Sequence, residues 1–331
     1  MKEEIIFSQK DINKSIIKVL KEANKYVIWF SMLTLFSDNK LNKILYNCKK
    51  KKIKLYIFHG NNPFLNEKCK KIYIKNINMH GTIIPNYVNH MRYLSNEKTS
   101  LFGGIDYNKI LENNYEQHAL KVENTSQIYN LNNIIRSAKN LNKLENIIHR
   151  LQYNFPIIGN TFNCESAFNF LKDKLRKAKQ YILIESQYIQ HKELVNILID
   201  SCLKHNIKLT IIYNDYFAIN PYHPCKNNKV LSWITNKYLS FETNNILNLI
   251  HKSGIQYEFL TYKKSYTHNK IYIIDDIFII GSFNFHNRSL SKKKDIEIGY
   301  TSTSKILIND YKDYIIKQKK LGCFKSEKML N

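Results

Sequence analysis

Apolar residues recur at three- and four-residue steps in "DINKSIIKVLKEAN" (Asp11 to Asn24) and again in "ESAFNFLKDKLRKAK" (Glu165 to Lys179). That spacing predicts two helices, each burying one face. An aromatic-led apolar run follows in both places, "KYVIWF" from Lys25 and "QYILIE" from Gln180, and predicts a buried strand. Next come a polar loop, an amphipathic stretch ending in basic residues, and a second strand that opens on Ile-Lys-Leu, at Ile53 and at Ile207. The order helix, strand, helix, strand thus occurs twice, at a register gap of about 155 residues. Such an order favours a parallel sheet with helices on its faces. Pro156 and Gly159 punctuate the chain between the copies. The expectation is two similar α/β/α domains, residues 1–155 and residues 156–331, the second enlarged around Asn220 to Ser240.

The second copy continues into "THNKIYIIDDIFIIGSFNFHNRS" (Thr267 to Ser289). His268 and Lys270 are two apart, so a strand sends both side chains to one face. Asp275 and Asp276 signal a turn, "IFII" returns as a second strand, and Gly281-Ser282-Phe283-Asn284 ends it. This hairpin predicts Ser282 and Asn284 beside His268 and Lys270. Glu297 follows in "DIEIGY", a third strand-like segment. The set has a coherent chemistry. A neutral imidazole can attack phosphorus, and an imidazolium can protonate a leaving group. Ammonium and amide groups can hold phosphoryl oxygens, and a carboxylate behind the histidine can fix its tautomer. No metal is needed.

These residues carry a family resemblance. His268-x-Lys270, then Asp275, then Gly281-Ser282-x-Asn284 resembles the HxKxxxxD and GSxN signature of the phospholipase D superfamily. The tail with Arg288, Ser289 and Glu297 is similar to the ending of its bacterial cardiolipin synthases, with a slightly longer gap before the glutamate. The family is duplicated, and "NHMRYLSNEKTSLFGGIDYNKIL" (Asn89 to Leu111) resembles a worn first copy. His90 stands for the histidine, Arg92 for the lysine and Glu97 for the aspartate. Gly103-Gly104-Ile105-Asp106 resembles GGxN with an acid in place of the amide. "YEQHALKVEN" (Tyr115 to Asn124) resembles the acidic segment that follows, which makes Glu116 the counterpart of the orienting acid.

The resemblance implies two halves related by a pseudo-two-fold, with the active site at their interface. His90 and His268 would share the catalysis with Glu116 and Glu297. Lys270, Asn284, Ser282, Arg92 and Asp106 would line the phosphate. Asp275, Glu97, Gly281, Gly103 and Gly104 would be structural. Arginine and lysine are not interchangeable at a tight phosphate site. An ionised Asp106 would also put negative charge where a phosphate sits.

Composition adds limits. The chain has 331 residues and 44% hydrophobic content, enough for packed cores. No apolar run approaches the roughly 18 residues of a membrane span, and "MKEEIIFSQKDINKS" lacks the apolar core of a secretory signal. The six cysteines show no CxxC spacing, so neither a zinc site nor a disulfide framework is indicated. The net charge is +24, yet only five of the 51 basic residues are arginine, and Lys, Asn and Ile are abundant as in AT-rich coding sequence. The charge is therefore largely compositional, but it attracts phosphates all the same. The expected function is a phosphatidyltransferase of phospholipid synthesis that works through a phosphohistidine, most like cardiolipin synthases. It would be cytoplasmic and peripheral at the inner membrane face, monomeric, free of cofactors, and bound to anionic phospholipid. The alternatives are a peripheral phosphatidylserine synthase, which "YNDYFAINPYHP" (Tyr213 to Pro224) faintly resembles, a nuclease or other phosphodiesterase acting on nucleic acid, and an inactive phosphate-binding homologue.

Overall fold

The computed structural model describes residues 2–31, 38–59, 90–107, 115–137, 157–161, 164–214, 229–290 and 295–329. The expected repeat boundary near residue 155, the basic run Lys68 to Asn76 and most of Tyr213 to Pro224 lie outside them.

In chain order the first half gives β1 (Glu3–Ile6), α1 (Gln9–Glu22), β2 (Tyr26–Ser31), α2 (Asn39–Lys50), β3 (Lys54–His59), β4 (Tyr93–Ser95), β5 (Thr99–Gly103), β6 (Tyr115–Glu116), β7 (Ala119–Glu123) and α3 (Ser126–Ser137). The second half begins with β8 (Ile157–Thr161), β9 (Cys164–Glu165), α4 (Ser166–Lys177), β10 (Tyr181–Ser186), α5 (Lys192–His205), β11 (Lys208–Tyr213) and α6 (Lys229–Lys252). It continues with β12 (Tyr257–Tyr262), β13 (Tyr266–Thr267), β14 (Lys270–Ile274), β15 (Ile277–Gly281), α7 (Asn287–Leu290), β16 (Glu297–Ser302), α8 (Lys305–Lys320) and β17 (Phe324–Met329). The helices and strands expected from the apolar periodicity are all present.

The chain forms two compact units. The first comprises Met1–Ala167, Ile280–Phe283 and Ser291–Thr301; the second comprises Phe168–Ile279, Asn284–Leu290 and Ser302–Asn331.

The first unit is built on a six-stranded sheet in the order β1-β7-β5-β4-β2-β3. Only β2 and β3 run parallel, as the helix between them requires; the other pairs are antiparallel. Val27 and Trp29 point to one face, where they join Ile12, Ile16 and Leu20 of α1 and Leu41 and Leu45 of α2 in an apolar core. Tyr26 and Tyr93 point to the other, where their hydroxyls meet Asn132 of α3. Helices thus cover both faces. The same unit contains β16, β8 and β9 as antiparallel neighbours.

The second unit repeats the plan. Its strands run in the order β17-β12-β11-β10-β14-β15. Here β10, β11 and β12 are parallel, and β14 is antiparallel to β10. The equivalence reaches single residues. Ser186 pairs with Lys270, and in the first unit Phe30 pairs with Tyr93, one step short of Ser31 and Arg92.

Candidate active site

The second-half motif sits on β14 and the turn before it, where Thr267, His268, Asn269 and Lys270 are all buried. Alternation sends His268 and Lys270 one way and Thr267 and Asn269 the other. Thr267 Oγ1 and Asn269 Nδ2 both donate to the carboxylate of Glu185, the amide at 2.9 Å. The hydroxyls of Tyr311 and Tyr262 donate to the same group, the second at 3.5 Å. Glu185 is fully buried. An acceptor-only group satisfies this ring of donors, and a buried carboxylate needs such a ring. Glu185 is therefore the anchor of the segment that presents His268. Nothing in the pattern marks it: it is a lone acid in the apolar run "YILIES". Lys270 Nζ donates to His268 O at 2.8 Å, which folds the lysine back along the histidine's backbone.

Asn284 is buried, and its Oδ1 lies 3.5 Å from Ser186 Oγ. Ser186 Oγ also accepts the Phe285 N–H at 2.9 Å and so fixes the chain just after Asn284. Ser186 was not singled out from sequence. The signal was there in the repeat, which aligns "YVIWFS" with "YILIES" and therefore Ser31 with Ser186.

In the first unit Ser31 plays the matching part. Its hydroxyl donates to Asp106 Oδ1 at 2.9 Å, while Asp106 Oδ2 accepts from Arg92 Nε at 2.8 Å. Both members of this ion pair are buried, with side chains 2% and 0% exposed. Asp106 was expected to line the phosphate as the counterpart of Asn284. Its oxygens are instead committed to Arg92 and Ser31, so the acid compensates the arginine. The two departures from the family pattern form one unit. Asp106→Asn alone is expected to lose about 3–5 kcal/mol, the usual loss when one partner of a buried ion pair is removed. Adding Arg92→Lys, which restores the family's pair of residues, is expected to recover most of that loss in urea unfolding. Additive losses would show that the two positions are independent.

His90 has a side chain 12% exposed, and its Nδ1 lies 2.9 Å from Glu297 Oε1. The backbone brings them together, because His90 N–H donates to Ile296 O at 3.2 Å. Glu297 is fully buried at the head of β16. Its second oxygen accepts from the Ser282 hydroxyl, which in turn accepts the Ile298 N–H at 3.0 Å. With the carboxylate as acceptor, the shared proton sits on Nδ1 and the ring's lone pair falls on Nε2.

This arrangement corrects two expectations. Glu116 was read as the acid that orients the first-half histidine, but Glu297 holds that place, and Glu116 is half-buried on β6. Ser282 was read as a phosphate ligand, but its hydroxyl is spent on Glu297 and the β16 backbone. His118, in the same segment as Glu116, is a core residue: burial pushes its pKa down to about 3, and it packs edge-on to Phe7.

The motif acids clamp backbone. Asp275 accepts the backbone N–H groups of Lys179, Gln180 and Tyr181 at 2.8, 2.8 and 2.9 Å. Glu97 accepts those of Asn24, Lys25 and Tyr26. The two clamps grip equivalent residues of the repeat, at the entry to β10 and to β2. Asp275 also has φ +52, which Asp and Asn tolerate better than most residues. Asp275→Ala is expected to lose about 2–4 kcal/mol in urea unfolding, since three donors lose their acceptor together. Turnover per folded molecule should be unchanged; a specific loss of turnover would give Asp275 a chemical role. The motif glycines allow close approach. A Cβ at Gly281 would stand 2.8 Å from Ile298 O, and one at Gly103, where φ is +93, 2.9 Å from Ile280 Cδ1.

Residues 171–318 match the family model described as "Cardiolipin synthase, PLD-like domain". No curated protein sequence matches the chain significantly. Among solved structures, the fold is similar to phosphatidylserine synthase from Haemophilus influenzae Rd KW20, with a TM-score of 0.71 and 13% identity over 98% of this chain and 87% of that one. It is also similar to polyphosphate kinase from Porphyromonas gingivalis, with a TM-score of 0.64 and 13% identity over 96% of this chain and 47% of that one. At such identities these likenesses concern the fold. His268-x-Lys270 and Gly281-Ser282-x-Asn284 both lie inside the matched stretch, which covers less than half of the chain and is where it is similar to that family.

Proposed function

We propose that the protein is a phosphatidyltransferase of phospholipid synthesis, most like cardiolipin synthases, that works through a phosphohistidine. The observation that carries this reading is the pairing of His90 with the buried Glu297, which prepares an imidazole as a nucleophile in a chain whose other motif keeps its histidine, lysine and asparagine. His90 Nε2 attacks phosphorus and the bond to the leaving alcohol breaks. His268, as imidazolium, gives that alcohol its proton. In the second half-reaction His268 takes the proton of the acceptor hydroxyl, which attacks phosphorus as the P–N bond breaks. Lys270 and Asn284 bear the charge on the phosphoryl oxygens.

A lipid substrate supports a partner of the same kind, an anionic phospholipid surface met at the cytoplasmic face. Among the described residues no helix is long and apolar enough to cross a membrane. The test is incubation of the purified chain with phosphatidylglycerol, with CDP-diacylglycerol plus serine, and with DNA, each beside His268→Ala. Cardiolipin formed by the native chain and lost in the variant supports the reading. Phosphatidylserine formation would move it to that synthase, and cleavage of DNA alone would overturn it.

A further inference from the structure

In the second unit β10, β11 and β12 run parallel, so their carboxyl ends lie along one edge of the sheet. The end of β10 is Ser186, opposite Lys270 of the motif. The end of β12 is Tyr262, opposite Phe324 of β17. Three strand spacings, about 14 Å, separate β12 from β14, which Lys270 opens. Whatever stands at the end of β12 therefore stands beside the His268–Lys270 edge.

Two turns meet there. Lys263-Lys264-Ser265 leaves β12, and Leu321-Gly322-Cys323 joins α8 to β17. The Lys263 N–H donates to Cys323 O at 2.9 Å and ties the turns together. A Cβ at Gly322 would have Lys263 Nζ as its nearest neighbour, at 4.0 Å. Lys263, Lys264, Lys317 and Lys320 are all exposed. Leu321 stands among them 64% exposed, with Ile316 at 48%. Lys319 differs: it is bonded to the buried carboxylate of Glu258 and holds the last turn of α8 in place.

Lysines in a last helical turn suit the helix dipole, and a single exposed leucine is ordinary. Neither fact explains a second pair of lysines on a neighbouring turn, nor an exposed apolar side chain next to Lys320. We propose that this corner docks on an anionic bilayer surface and brings the His268–Lys270 edge to headgroup level. The proposal rests on the lipid-acting reading above and adds the surface that delivers it. The lysine heads meet lipid phosphates while their stems and Leu321 enter the interfacial layer. A nucleic acid would use the lysines, but it has no layer to receive Leu321.

The test uses the full chain and vesicles of phosphatidylcholine, with and without phosphatidylglycerol, in co-sedimentation. A polybasic surface gains roughly fivefold in affinity per lysine near an anionic membrane. Replacing Lys263, Lys264, Lys317 and Lys320 by glutamine should therefore weaken binding to phosphatidylglycerol vesicles by about 10²–10³-fold. Replacing the four exposed lysines of the run Lys49 to Lys52 should leave it nearly unchanged. Leu321→Ser should weaken binding by a factor that salt does not alter. Equal losses from the two quadruple variants would overturn the proposal, because binding would then follow diffuse charge. So would unchanged binding in the first variant, or affinity for duplex DNA with none for vesicles. Binding is read without turnover, so a chain that docks but forms no lipid product would refute the proposed reaction and leave the docking surface standing.

Discussion

His268→Ala is expected to lose turnover of a natural phospholipid by about 10³-fold or more, yet only about tenfold toward a diester whose leaving group is p-nitrophenolate. The difference follows from the proton. An alkoxide leaves only when it is protonated, and His268 is the group proposed to supply that proton. A phenolate of low pKa leaves without one. His90→Ala should abolish turnover of both substrates, because no leaving group replaces a nucleophile. Single-turnover rates on the two diesters decide the matter. Equal losses in His268→Ala would remove it from the role of general acid. Lys270→Ala should behave differently again, with a large loss on both substrates, since the phosphoryl oxygens lose the same charge whichever group departs.

Glu297→Gln is expected to lower kcat by about 10²–10⁴-fold with KM nearly unchanged, the scale seen when a carboxylate that fixes a catalytic histidine's tautomer is made an amide. The glutamine keeps the shape of the site, but its amide presents a donor as well as an acceptor. The Ser282 hydroxyl and His90 Nδ1–H both need an acceptor, and one amide cannot serve them as two carboxylate oxygens do. The ring can then turn or change tautomer, which takes the lone pair off Nε2. Histidine NMR of the variant should show the altered tautomer, and its thermal unfolding should stay close to that of the parent. A variant with normal kcat would show that the pair serves packing alone.

Much of this site could be read from the sequence because the repeat and the motif are local. His268, Lys270, Asp275 and Asn284 lie within one hairpin, and the alternation of a strand is enough to group them. The structural role of Asp275 was legible from its place in a turn. Glu297 reads from sequence as a carboxylate behind the histidine of its own hairpin, His268. It stands 207 positions from His90, and the bond between the His90 amide and Ile296 helps to bring them together. Asp106 looked like a flaw because a charge read alone has no partner; the structure supplies Arg92. Glu185 was missed for the opposite reason. Its donors come from Tyr262, Thr267, Asn269 and Tyr311, and no spacing along the chain connects them.

The make-up of the first unit bears on how the protein is born. That unit includes Ser291–Thr301, so it lacks a strand, and His90 lacks its carboxylate, until the ribosome has passed Thr301. The amino-terminal copy emerges early, in an order that usually lets such a segment fold ahead of the rest. Here it must wait for Ser291–Thr301. A nascent chain stalled before Ser291 should therefore display a sheet whose His90 lacks the Glu297 carboxylate, and the proposed phosphohistidine chemistry should arise only after Glu297 has been added.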